Sequence, residues 1–328
     1  MYEKFFELAE RPFDLTPNPK YLFLTPSHRE ALSSLEYGIS ARTGVTVLVG
    51  EAGTGKTTLI RATLAARDPR TTRVIYLNNP TLTRSEFLEF LAKDFQLPPQ
   101  TAGSKTAVLD HLERALLGMW RAGVTPALII DEAQSLPYEL LEEIRLLANI
   151  ETPTDKLLPI VLAGQPELAE RLNHVSLRQL KQRVGLRCEL RQLDLAETGA
   201  YITARVGVAG GVASTLFTRE AVMVIHQRSQ GIPRIISVIC HNALISGFAL
   251  NRRPVTADLI LEVCKDFDLK AAAPVEPLVP LPIGGIQGGN LNRLAEMARE
   301  TPKPPARVRP REMFTAFVKP RRWYSLFS

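Results

Sequence analysis

The first 190 residues alternate short apolar runs with amphipathic stretches. Residues 45–49, 127–130 and 158–163 form continuous apolar or β-branched runs, which are typical of strands buried on both faces of a parallel sheet. Two further strands are predicted at residues 73–77 and 186–190. Between these runs, apolar residues recur at helical spacing. Strands that alternate with helices in this way predict a doubly wound α/β sheet.

Several of the helical stretches have recognisable starts. Ser27, with Glu30 three residues later, is a candidate N-cap for the first of them. Further helices are expected near residues 83–95, 104–121, 137–148 and 176–184.

Beyond Asp194 only helical periodicity remains, near residues 194–207, 218–229, 233–250 and 256–267. The chain is therefore expected to begin with an α/β domain, whose N-terminal segment is extended and rich in proline and aromatic residues. An all-α lid domain, a linker and a flexible, basic tail should follow. The expected boundaries are 1–193 for the α/β domain with its extended segment at 1–26, 194–268 for the lid, 269–290 for the linker of proline, glycine and alanine, and 291–328 for the tail.

The composition is that of an ordinary globular protein, with 45% hydrophobic and 23% charged residues. No apolar run reaches the length of a membrane-spanning helix, and charges interrupt the first residues, so neither a transmembrane segment nor a signal peptide is expected. Cys188, Cys240 and Cys264 lack metal-ligand spacing and are expected to be reduced core thiols. These features predict a cytoplasmic protein.

The positive charge of the chain is concentrated at its end. The net charge is +6, and residues 301–328 carry seven lysines and arginines against Glu312 alone, so the first 300 residues sum to zero. Basic residues beside Trp323 and Tyr324 suit an anionic membrane surface, as at the inner membrane, or a nucleic-acid backbone. We expect residues 303–328 to be an attachment element; the alternative is a tail whose aromatic rings pack back onto the domain.

A glycine-rich loop joins the strand at residues 45–49 to the next helix. Backbone N–H groups of such a loop converge on phosphates, and the helix N-terminus adds partial positive charge. We expect Lys56 to contact the β- and γ-phosphates of ATP and Thr57 to bind Mg²⁺. The loop matches the P-loop pattern Gly-x4-Gly-Lys-[Ser/Thr] and consists of Gly50, Glu51, Ala52, Gly53, Thr54, Gly55, Lys56, Thr57 and Thr58.

Two acidic residues, Asp131 and Glu132, follow the buried strand at residues 127–130. This is the Walker B arrangement, in which Asp131 would hold Mg²⁺ and Glu132 would polarise the attacking water. The pair favours hydrolysis by water over transfer to a bound acceptor. It also argues against a nucleotide-dependent switch with negligible turnover.

Polar residues at the ends of two other strands are further candidates. Gln165, after the strand at 158–163, could contact the γ-phosphate or the attacking water, or it could be a turn residue before Pro166. Asn79, after the second strand, could hold Glu132 in an inactive position.

Two arginines complete the candidate site. Arg183 precedes the fifth strand and would act in trans on the nucleotide of a neighbouring subunit; Arg178 is its rival, and an ordinary surface arginine is the alternative. Arg234 opens a lid helix after Gly231-Ile232-Pro233 and would couple the lid to the phosphates, or it could form a salt bridge at the helix start.

These motifs together resemble those of an AAA+ ATPase and, more narrowly, those of the general secretion pathway protein A group, the ExeA-like ATPases. The resemblance covers residues 1 to about 268. It is carried by Met1-Tyr2-x-x-Phe5-Phe6, Arg11-Pro12-Phe13, Thr16-Pro17-Asn18-Pro19, His28-Arg29-Glu30-Ala31-Leu32, Asp131-Glu132-Ala133-Gln134, Ala163-Gly164-Gln165-Pro166-Glu167-Leu168, Gln182-Arg183 and Gly231-Ile232-Pro233-Arg234.

The resemblance implies binding and hydrolysis of ATP, assembly into a ring or filament of identical subunits, and work on secretion or exopolysaccharide-export machinery. The secretion members of the group add a transmembrane segment and a peptidoglycan-binding domain, neither of which is found in this sequence. DNA-transposition ATPases of the TniB, TnsC and MuB type share the same motor layout. An ATP-dependent regulator of transposition that binds DNA is therefore the alternative function.

Overall fold

The apolar runs form one five-stranded sheet. In the computed structural model the strands are β1 (Val45–Gly50), β2 (Thr72–Leu77), β3 (Thr125–Ile130), β4 (Ile160–Gly164) and β5 (Val184–Leu190). Neighbouring strands all pair in parallel, in the order β2-β3-β4-β1-β5. The doubly wound parallel sheet predicted from the sequence is thus confirmed.

Helices cover both faces of this sheet. Successive residues of a strand point to opposite faces, so Val47 and Val49 pack with one group of helices and Leu48 packs with another. These helices are α2 (Pro26–Ser40), α3 (Lys56–Ala65), α4 (Arg84–Asp94), α5 (Lys105–Arg121), α6 (Tyr138–Leu147), α7 (Pro166–Leu172) and α8 (Arg178–Lys181). Residues of α2 and α3 cover the face of Leu48, and residues of α4 to α8 cover the face of Val47.

The lid is helical and has a hydrophobic core of its own. This core also contains Tyr2, Phe6, Leu8 and Phe13 from the N-terminal segment, where Tyr2–Phe5 forms the short helix α1. Ala9 N donates to the carbonyl of Ala209 at 2.8 Å, which fixes the segment to the lid. The lid helices are α9 (Leu195–Val208), α10 (Ala213–Leu216), α11 (Arg219–Ser229), α12 (Pro233–Ala249) and α13 (Ala257–Asp266).

Three local predictions were wrong. The N-cap of α2 is Thr25 rather than Ser27, because Pro26 occupies the first helical position and leaves the Thr25 hydroxyl to accept from His28 N. The N-terminal segment is not extended throughout, since α1 interrupts it. The helix expected at 176–184 is a 3-10 turn followed by the four-residue α8, because Val184 already pairs with Val45 in the sheet.

The structure describes residues 1–14, 16, 18–78, 81–98 and 104–269. Asn79, the linker beyond Leu269 and the tail at 291–328 lie outside these residues. Met1–Pro274 group as one compact unit, and the boundary at residues 193 and 194 stays a prediction. Within the described residues, no helix combines the length and apolar character that crossing a membrane requires.

Candidate active site

The P-loop connects the end of β1 to the start of α3. Gly53 and Gly55 have φ values of +84° and +104°, which favour glycine, and Gly55 is the N-cap of α3. The Lys56 side chain is buried and folds back over the loop, where its Nζ donates to the carbonyls of Gly50 at 2.7 Å and Glu51 at 3.1 Å. Burial lowers the pKa of Lys56, and nearby carboxylates oppose that shift. The loop therefore holds a lysine ammonium group close to its own backbone.

Asp131 is buried at the end of β3 and accepts three hydrogen bonds. The Thr57 hydroxyl donates to Asp131 Oδ2 at 2.6 Å, Tyr76 OH donates to the same oxygen at 3.0 Å, and Glu132 N donates to Oδ1 at 3.0 Å. Burial and the neighbouring carboxylate raise the pKa of the Tyr76 hydroxyl, so it stays a donor. The two residues predicted to bind Mg²⁺ are thus in direct contact. The role of Tyr76 was not predicted.

Glu132 has a left-handed backbone, with φ of +54°, and faces the same cavity as Lys56 and Thr57. Its Oε2 accepts from Nε2 of Gln134 at 2.6 Å. Gln165 is the N-cap of α7, and its backbone N donates to Gln134 Oε1 at 3.1 Å. Gln165 does not line the cavity but is connected to Glu132 through Gln134.

The lid reaches the P-loop through the start of α12. Gly231, with φ of +71°, packs against Leu193 and accepts a hydrogen bond from Leu193 N at 2.9 Å. Arg234 N donates to the carbonyl of Gly53 at 3.3 Å, and the exposed Arg234 lines the cavity. The structure therefore places the start of α12, which carries Arg234, against the P-loop.

Arg183 lies at the opposite end of the strands from the P-loop. Its carbonyl accepts from Val45 N at 3.2 Å, at the beginning of β1, whereas the P-loop follows the end of β1. The seven residues of β5 span about 20 Å, which is longer than an arginine side chain. The exposed Arg183 and the half-buried Arg145 line a second cleft of about 380 Å³. Arg178, the alternative candidate for an arginine that acts in trans, is also exposed and lies at the start of α8.

The cavity above the P-loop has a volume of about 370 Å³ and is also lined by residues for which no role in the site was predicted. Among these, His28 is buried, with Nε2 at 3.1 Å from the carbonyl of Thr54 and Nδ1 at 2.7 Å from the hydroxyl of Thr25. A carbonyl only accepts, so Nε2 carries the proton and Nδ1 accepts from Thr25. Burial lowers the pKa of His28, which favours this neutral form. His28 thereby supports the backbone of the P-loop.

Arg205 connects the N-terminal wall of the cavity to the lid. Its Nε donates to the carbonyl of Pro12 at 2.6 Å, and its guanidinium carbon lies 4.7 Å from the centre of the Tyr21 ring. Its Nη1 donates to Tyr201 OH at 2.9 Å, and Tyr201 OH lies 2.8 Å from the hydroxyl of Ser237 on α12. Arg205 thus joins the N-terminal segment to α9 directly and to α12 through Tyr201.

The P-loop, the acidic pair after β3 and the helical lid define a P-loop ATPase of the AAA+ class. Residues 40–172 match a family model described as an AAA domain. General secretion pathway protein A of Aeromonas hydrophila is 43% identical over 249 residues, which cover 76% of this chain and 45% of that protein. The chain belongs to this ExeA-like group of AAA+ ATPases, and it spans less than half the length of that relative.

Solved structures share the fold at low sequence identity. CDC6P from Pyrobaculum aerophilum superposes with a TM-score of 0.60 and 17% identity, covering 83% of this chain and 74% of that one. The Aeropyrum pernix ORC2 protein, in ADPNP and ADP complexes, gives a TM-score of 0.56 and 20% identity, covering 79% of this chain and 72% of that one. Both confirm the AAA+ architecture.

Proposed function

We propose that this chain binds and hydrolyses ATP with Mg²⁺, and that as an oligomer it drives or regulates the assembly of a secretion or exopolysaccharide-export complex. One observation carries the catalytic part of this proposal. Thr57 Oγ1 lies 2.6 Å from Asp131 Oδ2, beside the cavity that Lys56 and Glu132 line. Hydroxyl and carboxylate oxygens next to a P-loop lysine are the groups that a nucleotide with bound Mg²⁺ requires.

The residues present fit both ligands. Lys56 Nζ donates to two loop carbonyls and could exchange one of them for a phosphate oxygen. Thr57 and Asp131 would hold Mg²⁺, which when bound would neutralise charge on the β- and γ-phosphate oxygens. Gly50 to Thr58 would cradle the phosphates through backbone N–H groups.

Three side chains would act on the γ-phosphate and the water. Glu132 would orient the attacking water and accept its proton. Arg234 would bring a positive charge from the lid to the γ-phosphate, which couples lid position to nucleotide state. Gln165 would contact the γ-phosphate or the water only after its side chain turns towards the cavity, since it does not line the cavity.

The position of Arg183 supports an oligomer. Because the length of β5 separates it from the P-loop of its own chain, Arg183 could reach a γ-phosphate only in a neighbouring copy. An arginine supplied in trans stabilises charge that develops on the transferred phosphoryl group. A ring or a filament would meet this requirement.

The cellular role is proposed from the relative. General secretion pathway protein A is named for secretion, and we propose a related task for this chain, in the cytoplasm or at the inner-membrane surface. Residues 303–328 would provide the contact with anionic lipid or a partner protein. Regulation of transposition through DNA is the alternative.

The proposal is tested with the full chain. Lys56→Ala should abolish nucleotide binding, and Glu132→Gln should retain binding but stop phosphate release. Phosphate release by the wild type should require Mg²⁺. Glu220→Gln, an exposed change on α11, is the matched control and should leave both unchanged. Tight nucleotide binding by Lys56→Ala, or normal turnover by Glu132→Gln, would contradict the assignment.

Liposome sedimentation and DNA retention separate the two cellular roles. Stimulation of phosphate release by DNA, with affinity that falls steeply in salt, would favour transposition. Binding to anionic vesicles that is lost when the chain is truncated at residue 270, with basal turnover retained, would favour attachment to a membrane.

A further inference from the structure

We propose that Gln134 is a positioning residue that fixes the carboxylate of Glu132 and ties it to the junction between β4 and α7. The inference rests on the proposed hydrolysis at Glu132. The side-chain amide of Gln134 lies between two partners. Its Nε2 donates to Glu132 Oε2 at 2.6 Å, and its Oε1 accepts from the backbone N of Gln165 at 3.1 Å.

The chemistry of these partners allows only one orientation of the amide. The backbone N–H of Gln165 can only donate, and an ionised carboxylate can only accept. Rotating the Gln134 amide by half a turn would bring two donors together at Gln165 and two acceptors together at Glu132. Glutamine is therefore suited to this position, because it supplies one acceptor and one donor at the same distance from the backbone. A glutamate here would place a second carboxylate against Glu132.

The backbone of the same turn is fastened to α7 by a different side chain. Arg171, on α7, donates through Nη1 to the carbonyl of Gln134 and through Nη2 to the carbonyl of Leu136 at 2.5 Å. Its guanidinium carbon lies 4.9 Å from the centre of the Tyr138 ring, at the start of α6. Both the side chain and the backbone of Gln134 are thus attached to the segment that follows β4.

The end of β4 leaves room for this contact. A Cβ atom at Gly164 would come within 2.8 Å of Gln134 Oε1, so a residue larger than glycine would displace the amide. Gly164 therefore leaves space for the Gln134 amide, and Gln165 N donates a hydrogen bond to it. A movement of the β4–α7 junction would therefore displace the Glu132 carboxylate through the hydrogen-bonded side chain of Gln134.

The hydrogen bond from Gln134 involves only one of the two carboxylate oxygens of Glu132. Within the described residues, the Glu132 side chain has Gln134 as its hydrogen-bond donor, at Oε2. None of the described residues donates to Oε1, and Glu132 lines the cavity in which the attacking water would bind. Gln134 would thus hold the orientation of the base without taking the oxygen that the reaction needs. This role differs from that of a catalytic residue, because Gln134 does not line the cavity.

Two variants of the full chain test this role. Gln134→Ala removes both hydrogen bonds, and Gln134→Glu keeps the size of the side chain but replaces the donor with a carboxylate. Each should lower kcat at least about tenfold, since a positioned general base contributes about 10²–10⁴-fold. The affinity for ATP should change about threefold or less, because the interaction acts on the chemical step. Gln227→Ala, an exposed change on α11, is the matched control.

Double-mutant cycles with Glu132 separate positioning from general stabilisation. If Gln134 acts through Glu132, combining Gln134→Ala with Glu132→Gln should cause no loss of phosphate release beyond that of Glu132→Gln alone. The thermal midpoints of Glu132→Ala, Gln134→Ala and the double variant should also be non-additive, because the two side chains are in contact.

The outcomes can be told apart. A wild-type chain that releases no phosphate would overturn the proposed function, but the thermal cycle would still decide whether Gln134 holds Glu132. Additive thermal midpoints, or an unchanged kcat in Gln134→Ala with normal wild-type turnover, would overturn the role of Gln134 alone. Loss of kcat with retained nucleotide affinity and non-additive midpoints would support it.

Discussion

The junction between the lid and the α/β part depends on a glycine that no other residue can replace without cost. Gly231 has φ of +71°, and a Cβ atom there would come within 2.0 Å of the Leu193 carbonyl oxygen. Leu193 N also donates to Gly231 O at 2.9 Å. The two backbones are therefore in direct contact, and the substitution Gly231→Ala must separate them.

The magnitude follows from two terms. A left-handed conformation costs an L-residue roughly 1–2 kcal/mol, and loss of the hydrogen bond to Leu193 costs about 1 kcal/mol. Gly231→Ala should therefore lower the free energy of unfolding by roughly 2–3 kcal/mol, which corresponds to a fall of about 4–12 °C in the melting temperature. Nucleotide affinity should fall as well, because Arg234 N contacts Gly53 O three residues beyond the glycine.

Thermal unfolding and binding of a fluorescent ATP analogue would measure both effects. Gly207→Ala is the matched control, since Gly207 lies in α9 with no atom within 4 Å of an added Cβ. That change should stabilise the chain by about 0.5–1 kcal/mol, because alanine is the better helix former. A Gly231→Ala variant that melts and binds nucleotide as the wild type does would refute the close contact at Leu193.

Three further results are expected. Tyr76→Phe should lower the free energy of unfolding by about 1.5–3 kcal/mol in urea titrations, as a hydrogen bond to a buried carboxylate is lost, whereas the exposed Tyr37→Phe should not. Burial lowers the pKa of His28, so the unfolded chain binds an extra proton below about pH 6.5; the wild type should lose more stability on acidification than His28→Gln. Mixing inactive Arg183→Ala and Glu132→Gln subunits should restore part of the phosphate release, and no recovery in a co-assembled mixture would count against action in trans.

The sheet and the P-loop could be predicted because their signals are local. A buried parallel strand needs a continuous apolar run, and the residues of β1 provide one directly before the glycine loop. The start of α5 was also recognisable, since the Ser104 hydroxyl accepts from Ala107 N as an N-cap does. Each of these features depends on residues close together in the chain.

The partners of the acidic pair were not predictable because they depend on strand order. Tyr76 reaches Asp131 only because β2 lies beside β3, with Tyr76 paired to Ile129. Gln134 reaches Gln165 only because β4 lies on the other side of β3. Hydrophobic periodicity indicates that strands exist but carries no information on which strands are neighbours.

The N-terminal segment shows how the nucleotide cavity depends on contacts distant in sequence. Phe6 and Phe13 are fully buried in the lid core, and Arg205 holds the carbonyl of Pro12 from α9. Farther along the chain, Thr25 and His28 connect the same segment to the P-loop. The segment is therefore attached to the lid at one end and to the phosphate-binding loop at the other. Any rotation of the lid must therefore displace the segment or break one of these attachments, and Arg234, which lines the cavity from the lid, would move with it.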